Sequence, residues 1–263
     1  MDVELPLIAA AASRPLLAFG LTLLLLCLAS GLAWYAVHAH ARRAALGDAA
    51  PVVSVALLLV LAFGVVAFAL TGFVQLAQRV GPEPLGMDVA LSAALLEHTP
   101  FPALRAFAWV TRLANTSTLT VLGIGGVLVL AISGRRLLAV TWAAALGGNA
   151  VLNVSLKALF ERVRPVHDAS LIAADGWSFP SGHASGSVVA FGMLAYVLLR
   201  ILPPRWHLSV VVGAVAAAFT VGSSRLFLQV HYLSDVAAGF ASGGTWLLVC
   251  IATAEWWRRH PQR

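Results

Sequence analysis

Seven apolar stretches, at about 16–38, 52–75, 117–134, 137–156, 184–201, 208–224 and 236–256, constrain this chain more than any other feature. A helix that crosses a bilayer needs roughly 20 mostly apolar residues, and each stretch approaches that length. Between them the chain is short of charge. Only 11% of its 263 residues are Asp, Glu, Lys or Arg, and the mean hydropathy is +0.89. A soluble domain carries about 25% charged residues. The expectation is therefore an all-α fold, a polytopic bundle of membrane helices, with lipid as the solvent for much of the surface. Gly, Ser and Thr within several runs suit close helix packing in a membrane.

The net charge of +6 does not point to nucleic acid, because the basic residues are scattered between apolar runs and form no dense stripe. They cluster instead in short connections: Arg42-Arg43 after the first run, Arg135-Arg136 after the third, Arg205 after the fifth, and Arg258, Arg259 and Arg263 in the tail. With seven spans these all fall on one side, which the positive-inside rule makes the cytoplasm. The opposite side receives the N-terminus, residues 76–116, the 157–183 loop and the 225–235 turn. Within 76–116, Gly81-Pro82-Glu83-Pro84 breaks the chain. Residues 87–97 then show apolar positions at helical spacing between Asp88 and Glu97, as expected of an amphipathic helix on the membrane surface or over a site. The first run is too long, and its flank too weakly basic, for a typical signal peptide, so it reads as a retained helix. Cys27 and Cys250 lie within apolar runs at no metal-ligand spacing.

Charged and titratable residues at span ends mark functional candidates, and three clusters stand out. The first, Lys157 to Arg162, Arg164 and Pro165, closes the fourth run and contains the only lysine. Lys157 and Arg164 are seven apart, two helical turns, so they could share a face, and Pro165 then ends the helix or fixes a turn. Alone, this cluster fits headgroup snorkelling better than a binding role. The second is Pro180-Ser181-Gly182-His183 before the fifth run. Gly182 permits close backbone approach, Ser181 adds a hydroxyl, and the amides that open the next helix favour an anion. A helix cap with a bystander histidine explains it as well. The third is Ser224-Arg225 followed by His231 and Asp235, the last two spaced four apart. A carboxylate beside an imidazole fixes its tautomer and stabilises its charge, and Arg225 offers a fork for phosphate oxygens; a capping ion pair is the plain alternative. Together, three cations with few matching anions call for a phosphate. A metal held by His183, His231 and Asp235 is opposed by those same cations. A transport path is disfavoured because the charges gather at one face.

The ordered triple, Lys157 to Arg164-Pro165, Pro180 to His183, and Ser224-Arg225 to His231 to Asp235, resembles the type 2 phosphatidic acid phosphatase family, whose site is shared with vanadium haloperoxidases. The likeness extends over about 52–256. It implies a six-helix catalytic core, here 46–263, preceded by one extra transmembrane helix and a cytoplasmic loop in 1–45. It further implies that His231 attacks phosphorus to form a phosphohistidine, Asp235 orients it, and His183 protonates the leaving alkoxide. Lys157, Arg164 and Arg225 would hold the phosphate with Ser181 and the Gly182 amide; Arg162 and Ser224 would support. No metal or other cofactor is implied. The implied substrates are lipid phosphates: phosphatidic acid, phosphatidylglycerol phosphate, lipid A phosphates or polyprenyl diphosphate. A phosphotransferase of the same family and a non-enzymatic transporter are the alternatives. The implied location is a bacterial cytoplasmic membrane, with the site facing outward.

Overall fold

The structure is a computed structural model, and it describes residues 13–45, 83–165, 172 and 175–260. The described elements are helical: α1 Pro15–Ala45, α2 Gly86–His98, α3 Phe101–Val110, α4 Thr116–Ile132, α5 Arg136–Phe160, α6 Gly182–Ile201, α7 His207–Phe227 and α8 Leu233–Arg259. Single 3-10 turns, Thr111–Ala114 and Pro204–Trp206, precede α4 and α7. Five of these helices are long and apolar enough to cross a membrane: α1, α5, α6, α7 (with its leading turn) and α8. The run at 52–75 lies outside the described residues.

The expected span at 117–134 is a shorter object. With 17 residues, α4 is about 26 Å long, less than the ~30 Å hydrocarbon core. It forms a sixth crossing only together with Phe101–Ala114, from which it is bent by 40°. Helix α3 lies in the 76–116 segment, outside the apolar runs; it is capped by Pro100, and Pro102 lies within its first turn, where the missing N–H is harmless.

Helices α6 and α8 form the centre. They approach backbone to backbone, because a Cβ at Gly239 would lie 2.6 Å from the Ser181 carbonyl, and one at Gly243 would lie 2.6 Å from that of Ser185. This is the small-residue contact by which membrane helices pack closely. It seats the starts of both helices side by side, where the Ser181 amide donates to the Asp235 carbonyl at 2.9 Å. Helix α5 and α4 flank this pair through Trp142 and Trp246, whose indoles donate to the Gly123 and Ala145 carbonyls. Helix α7 packs on α6, and α1 packs on the outer side of α7, with Phe19 against Phe107, Phe219 and Phe227 near one end and Trp34 against His207 at the other.

The alternation of helices brings the ends of α5 and α7 and the starts of α4, α6 and α8 to one end of the bundle. The connections at 133–135 and 202–206 and the end of α8 lie at the opposite end. There Glu255 pairs with Arg200 and Arg258 and accepts from the Tyr196 hydroxyl.

Candidate active site

The Lys157 helix does not reach Arg164. It stops at Phe160, and Glu161 adopts a left-handed φ of 44°, so residues 161–165 leave the helix axis. The two-turn relation between Lys157 and Arg164 expected from spacing is therefore wrong. Arg164 reaches its position from an irregular strand of chain. Its guanidinium is fixed by the carbonyls of Gly176 at 2.9 Å, Val230 at 2.9 Å and Asp175 at 3.2 Å. The Lys157 ammonium donates to the Trp177 carbonyl, which also accepts from Arg164. Both cations thus converge at the mouth of one cavity of about 1050 Å³, lined at its polar end by Lys157, Arg164, His183, Arg225 and His231.

His231 sits in the turn between α7 and α8, buried, where Gln229 takes a φ of 55°. Arg164 Nη1 lies 3.0 Å from its Nε2. A guanidinium can only donate, so Nε2 must accept and the proton resides on Nδ1. From there it faces Asp235 Oδ2 at 3.4 Å and Ser178 Oγ at 3.3 Å. Burial pushes the imidazole down to about 3, against the raising pull of Asp235. His231 is therefore neutral at physiological pH, with its Nε2 lone pair on the cavity side. Burial also lowers the Arg164 guanidinium from its ordinary value.

Asp235 is saturated with donors. Its Oδ2 accepts from Ser178 Oγ at 2.5 Å and the Tyr232 amide at 2.8 Å, and its Oδ1 accepts from Arg162 Nη1 at 2.6 Å. Arg162 is wholly buried and does not line the cavity. Its other nitrogen pairs with Asp88 Oδ2 at 2.9 Å, and Asp88 in turn accepts from the Ser234 amide and hydroxyl. Arg162 is thus the middle of a buried Asp88–Arg162–Asp235 chain. Helix α2 accordingly turns a mixed face inward: Asp88 and Ser92 are buried beside Leu95, and Leu91 and Leu95 pack with Phe107 and Phe227, while Val89 and Leu96 are exposed. Ser92 donates to Gln229 in the His231 turn at 2.5 Å.

His183, in the first turn of α6, lies on the cavity wall with Nε2 3.0 Å from Asn115 Oδ1. Ser181 Oγ is buried and caps α6 by accepting from the Ala184 amide, and Ser181 does not line the cavity. Ser224 Oγ is likewise used internally, donating to the Val221 carbonyl at 2.5 Å. Gly182 does reach the cavity, but its lack of a Cβ first of all makes room for Asn153 Oδ1, which a Cβ would meet at 2.9 Å. Arg225 donates to Thr111 Oγ1 at 3.0 Å, and its buried Nε has no partner among the described residues.

Asn115, Asn153 and Ser178 are not singled out by the sequence, and Asp88 reads there only as the polar flank of an amphipathic helix. Asn153 carried a usable signal, a polar residue one turn before Lys157 within an apolar run. Ser178 and Asn115 carried none.

Lys157, Arg164 and Arg225 have no carboxylate within ion-pair distance among the described residues, whereas Arg162, Arg200 and Arg258 do. Uncompensated cations at a buried site are costly, and an anion in the cavity removes that cost. No set of three His, Cys, Asp or Glu side chains converges as metal ligands among the described residues.

Fold and site together define an integral membrane helical protein with a cation-ringed, paired-histidine site at one end of its bundle. The chain belongs to the PAP2 superfamily, whose model matches residues 136–259. It is 38% identical over 99 residues to phosphatidylglycerophosphatase B of Bacillus subtilis, an alignment covering 37% of this chain and 48% of that protein. It is 35% identical over 130 residues to decaprenylphosphoryl-5-phosphoribose phosphatase of Mycobacterium tuberculosis, covering 46% and 67% of the two chains. The chain thus spans about half the length of the Bacillus relative. The fold is similar to the crystal structure of a transmembrane PAP2-type phosphatidylglycerolphosphate phosphatase from Bacillus subtilis. That match has a TM-score of 0.62 at 26% identity and covers 72% of this chain and 96% of that one.

Proposed function

We propose that the protein is a membrane lipid phosphate phosphatase that works through a phosphohistidine on His231. The observation that carries this reading is the ring of Lys157, Arg164 and Arg225, unpaired with any described carboxylate, around a neutral His231 whose Nε2 faces the cavity. A phosphate entering this ring takes over the Arg164 contact now made to Nε2. Nε2 then attacks phosphorus as the bond to the lipid oxygen breaks. His183 gives its proton to the departing alkoxide. Asp235 holds Nδ1–H and balances the charge that develops on the ring. Water then attacks phosphorus and cleaves the N–P bond, giving a proton back to His183 as it does so, which releases inorganic phosphate and restores both histidines. The three cations stabilise the equatorial oxygens throughout.

In this reading Lys157, Arg164, Arg225 and the Gly182 amide hold phosphate; Arg162, Ser181 and Ser224 maintain the frame. Residues 46–263 form the catalytic unit, and α1 is an added span. The basic residues Arg135, Arg136, Arg205 and Arg258 at the opposite end support, by the positive-inside rule, a site on the outer face of a bacterial cytoplasmic membrane. Phosphate release from a panel of lipid phosphates by the purified protein tests the assignment. Release from at least one member supports it. Transport of such a lipid in proteoliposomes without release would replace it.

A further inference from the structure

Helix α5 presents Asn149, Asn153 and Lys157 at successive steps of four residues, so the three side chains form one stripe along the cavity. Two of them are engaged. Lys157 donates to the Trp177 carbonyl, and Asn153 Nδ2 lies 3.3 Å from the Pro180 carbonyl and 3.4 Å from Ser185 Oγ. Asn149 is different. It is 7% exposed and lines the cavity, and its carboxamide makes no side-chain hydrogen bond among the described residues but stays open to the cavity. Around it and below it the cavity is apolar, with Leu119, Ile124, Val127, Leu128 and Leu146. A carboxamide with neither a protein partner nor open space before it would be costly. A carboxamide aimed into a cavity that takes a ligand is instead a contact awaiting its acceptor.

Its depth restricts what that acceptor is. Asn149 lies eight residues from Lys157, about 12 Å along the helix. In an acylated glycerol phosphate the ester carbonyl oxygens lie six or seven bonds from phosphorus, about 7–9 Å when extended at ordinary bond lengths. The Asn149 side chain spans the difference. An isoprenoid monophosphate carries only hydrocarbon at that depth and leaves the carboxamide unsatisfied.

Resting on the phosphatase reading above, we propose that Asn149 is a specificity-determining residue that donates a hydrogen bond to an acyl carbonyl of the lipid. The substrate class is then acyl-ester lipid phosphates rather than isoprenoid phosphates.

The test compares three substrates in detergent micelles with the full chain: a diacyl phosphatidic acid, its dialkyl ether analogue, and a polyprenyl monophosphate. Wild type should favour the diester over the diether in kcat/KM by on the order of 5- to 10-fold, the worth of one such hydrogen bond, and should use the polyprenyl phosphate poorly. Asn149→Leu should bring the ester-to-ether ratio near one, by loss on the ester. That ratio is internal to each preparation and does not depend on the fraction folded. Equal use of ester and ether by wild type, or an unchanged ratio in Asn149→Leu, would overturn the inference while leaving the phosphatase reading intact. If Asn149→Leu is inactive on all substrates, Asn149→Ala decides by the same ratio; inactivity there too makes Asn149 structural and also overturns it. Failure of wild type to hydrolyse any lipid phosphate would instead defeat the phosphatase reading itself.

Discussion

Replacing Asp88 by Ala removes a carboxylate that is 1% exposed and takes four hydrogen bonds: Arg162 Nη2 at 2.9 Å, the Ser234 amide at 3.0 Å, the Ser234 hydroxyl at 2.5 Å and the Leu85 amide at 3.3 Å. Arg162 keeps only Asp235 and the Ser234 hydroxyl, and one face of a buried guanidinium is left without an acceptor. Breaking a buried pair by deleting one partner typically costs about 3–5 kcal/mol. Had Asp88 marked the polar edge of a surface helix, as its sequence context suggests, the cost would stay within about 0.5 kcal/mol. The two accounts therefore differ by several-fold in one number. The assay is denaturant unfolding in detergent for Asp88→Ala, Arg162→Met and the double variant. The double variant should lose much less than the sum of the singles, because a charge pair removed whole leaves nothing unpaired. Catalytic rate should fall in Asp88→Ala with little change in KM, since Asp235 loses rigidity and no phosphate ligand is lost. A cost below about 0.5 kcal/mol, or strict additivity in the cycle, would refute the buried chain.

Lys157→Ala should lose most activity while its unfolding midpoint stays near wild type, since the side chain lies at the cavity mouth; an unchanged rate would return Lys157 to headgroup snorkelling. Hydrolysis should persist in excess chelator, and vanadate should inhibit by occupying the phosphate position as a trigonal bipyramid; activity lost to chelator and restored by magnesium would overturn the metal-free mechanism. His231, pushed by burial to about 3 in the fold, titrates near 6.5 when unfolded. The folded state therefore excludes a proton, and the stability this contributes is complete above about pH 6.5 and lost as pH falls toward 3. His231→Asn should flatten the acid-side decline of the unfolding midpoint; a decline parallel to wild type would contradict the burial argument.

Much of the site was legible because membrane helices tolerate so few charges. Lys157, Arg164, Arg225, His183, His231 and Asp235 stood out against apolar runs, and the fold brings them to one end of the bundle. What the sequence obscured was how each arrives there. The left-handed turn at Glu161 detaches Arg164 from the Lys157 helix, and no residue type announces a non-glycine φ of 44°. Arg162 looked like a neighbour of the phosphate cluster. Its partner Asp88 lies 74 residues earlier, in a helix whose pattern read as amphipathic, and pairing across such a distance leaves no periodic trace. Ser181 and Ser224 show the converse: motif serines whose hydroxyls are engaged by backbone at Ala184 and Val221. The run at 16–38 was visible as a span, but that it packs on α7 shows only in the fold, through Phe19 seated among three other rings and Trp34 against His207.

The division of labour between the two histidines is tested most directly by trapping phosphate on the protein. Rapid quenching of wild type with labelled substrate should give acid-labile label, and His231→Ala should give none with any substrate. His183→Ala should slow transfer from a lipid phosphate by about 100- to 10,000-fold, the usual worth of a general acid. The defect should shrink on p-nitrophenyl phosphate, whose leaving group departs without a proton. Asp235→Asn should behave as a weaker His231 variant on both substrates. Label on His231→Ala protein, or equal impairment of His183→Ala on both substrates, would contradict the roles assigned here.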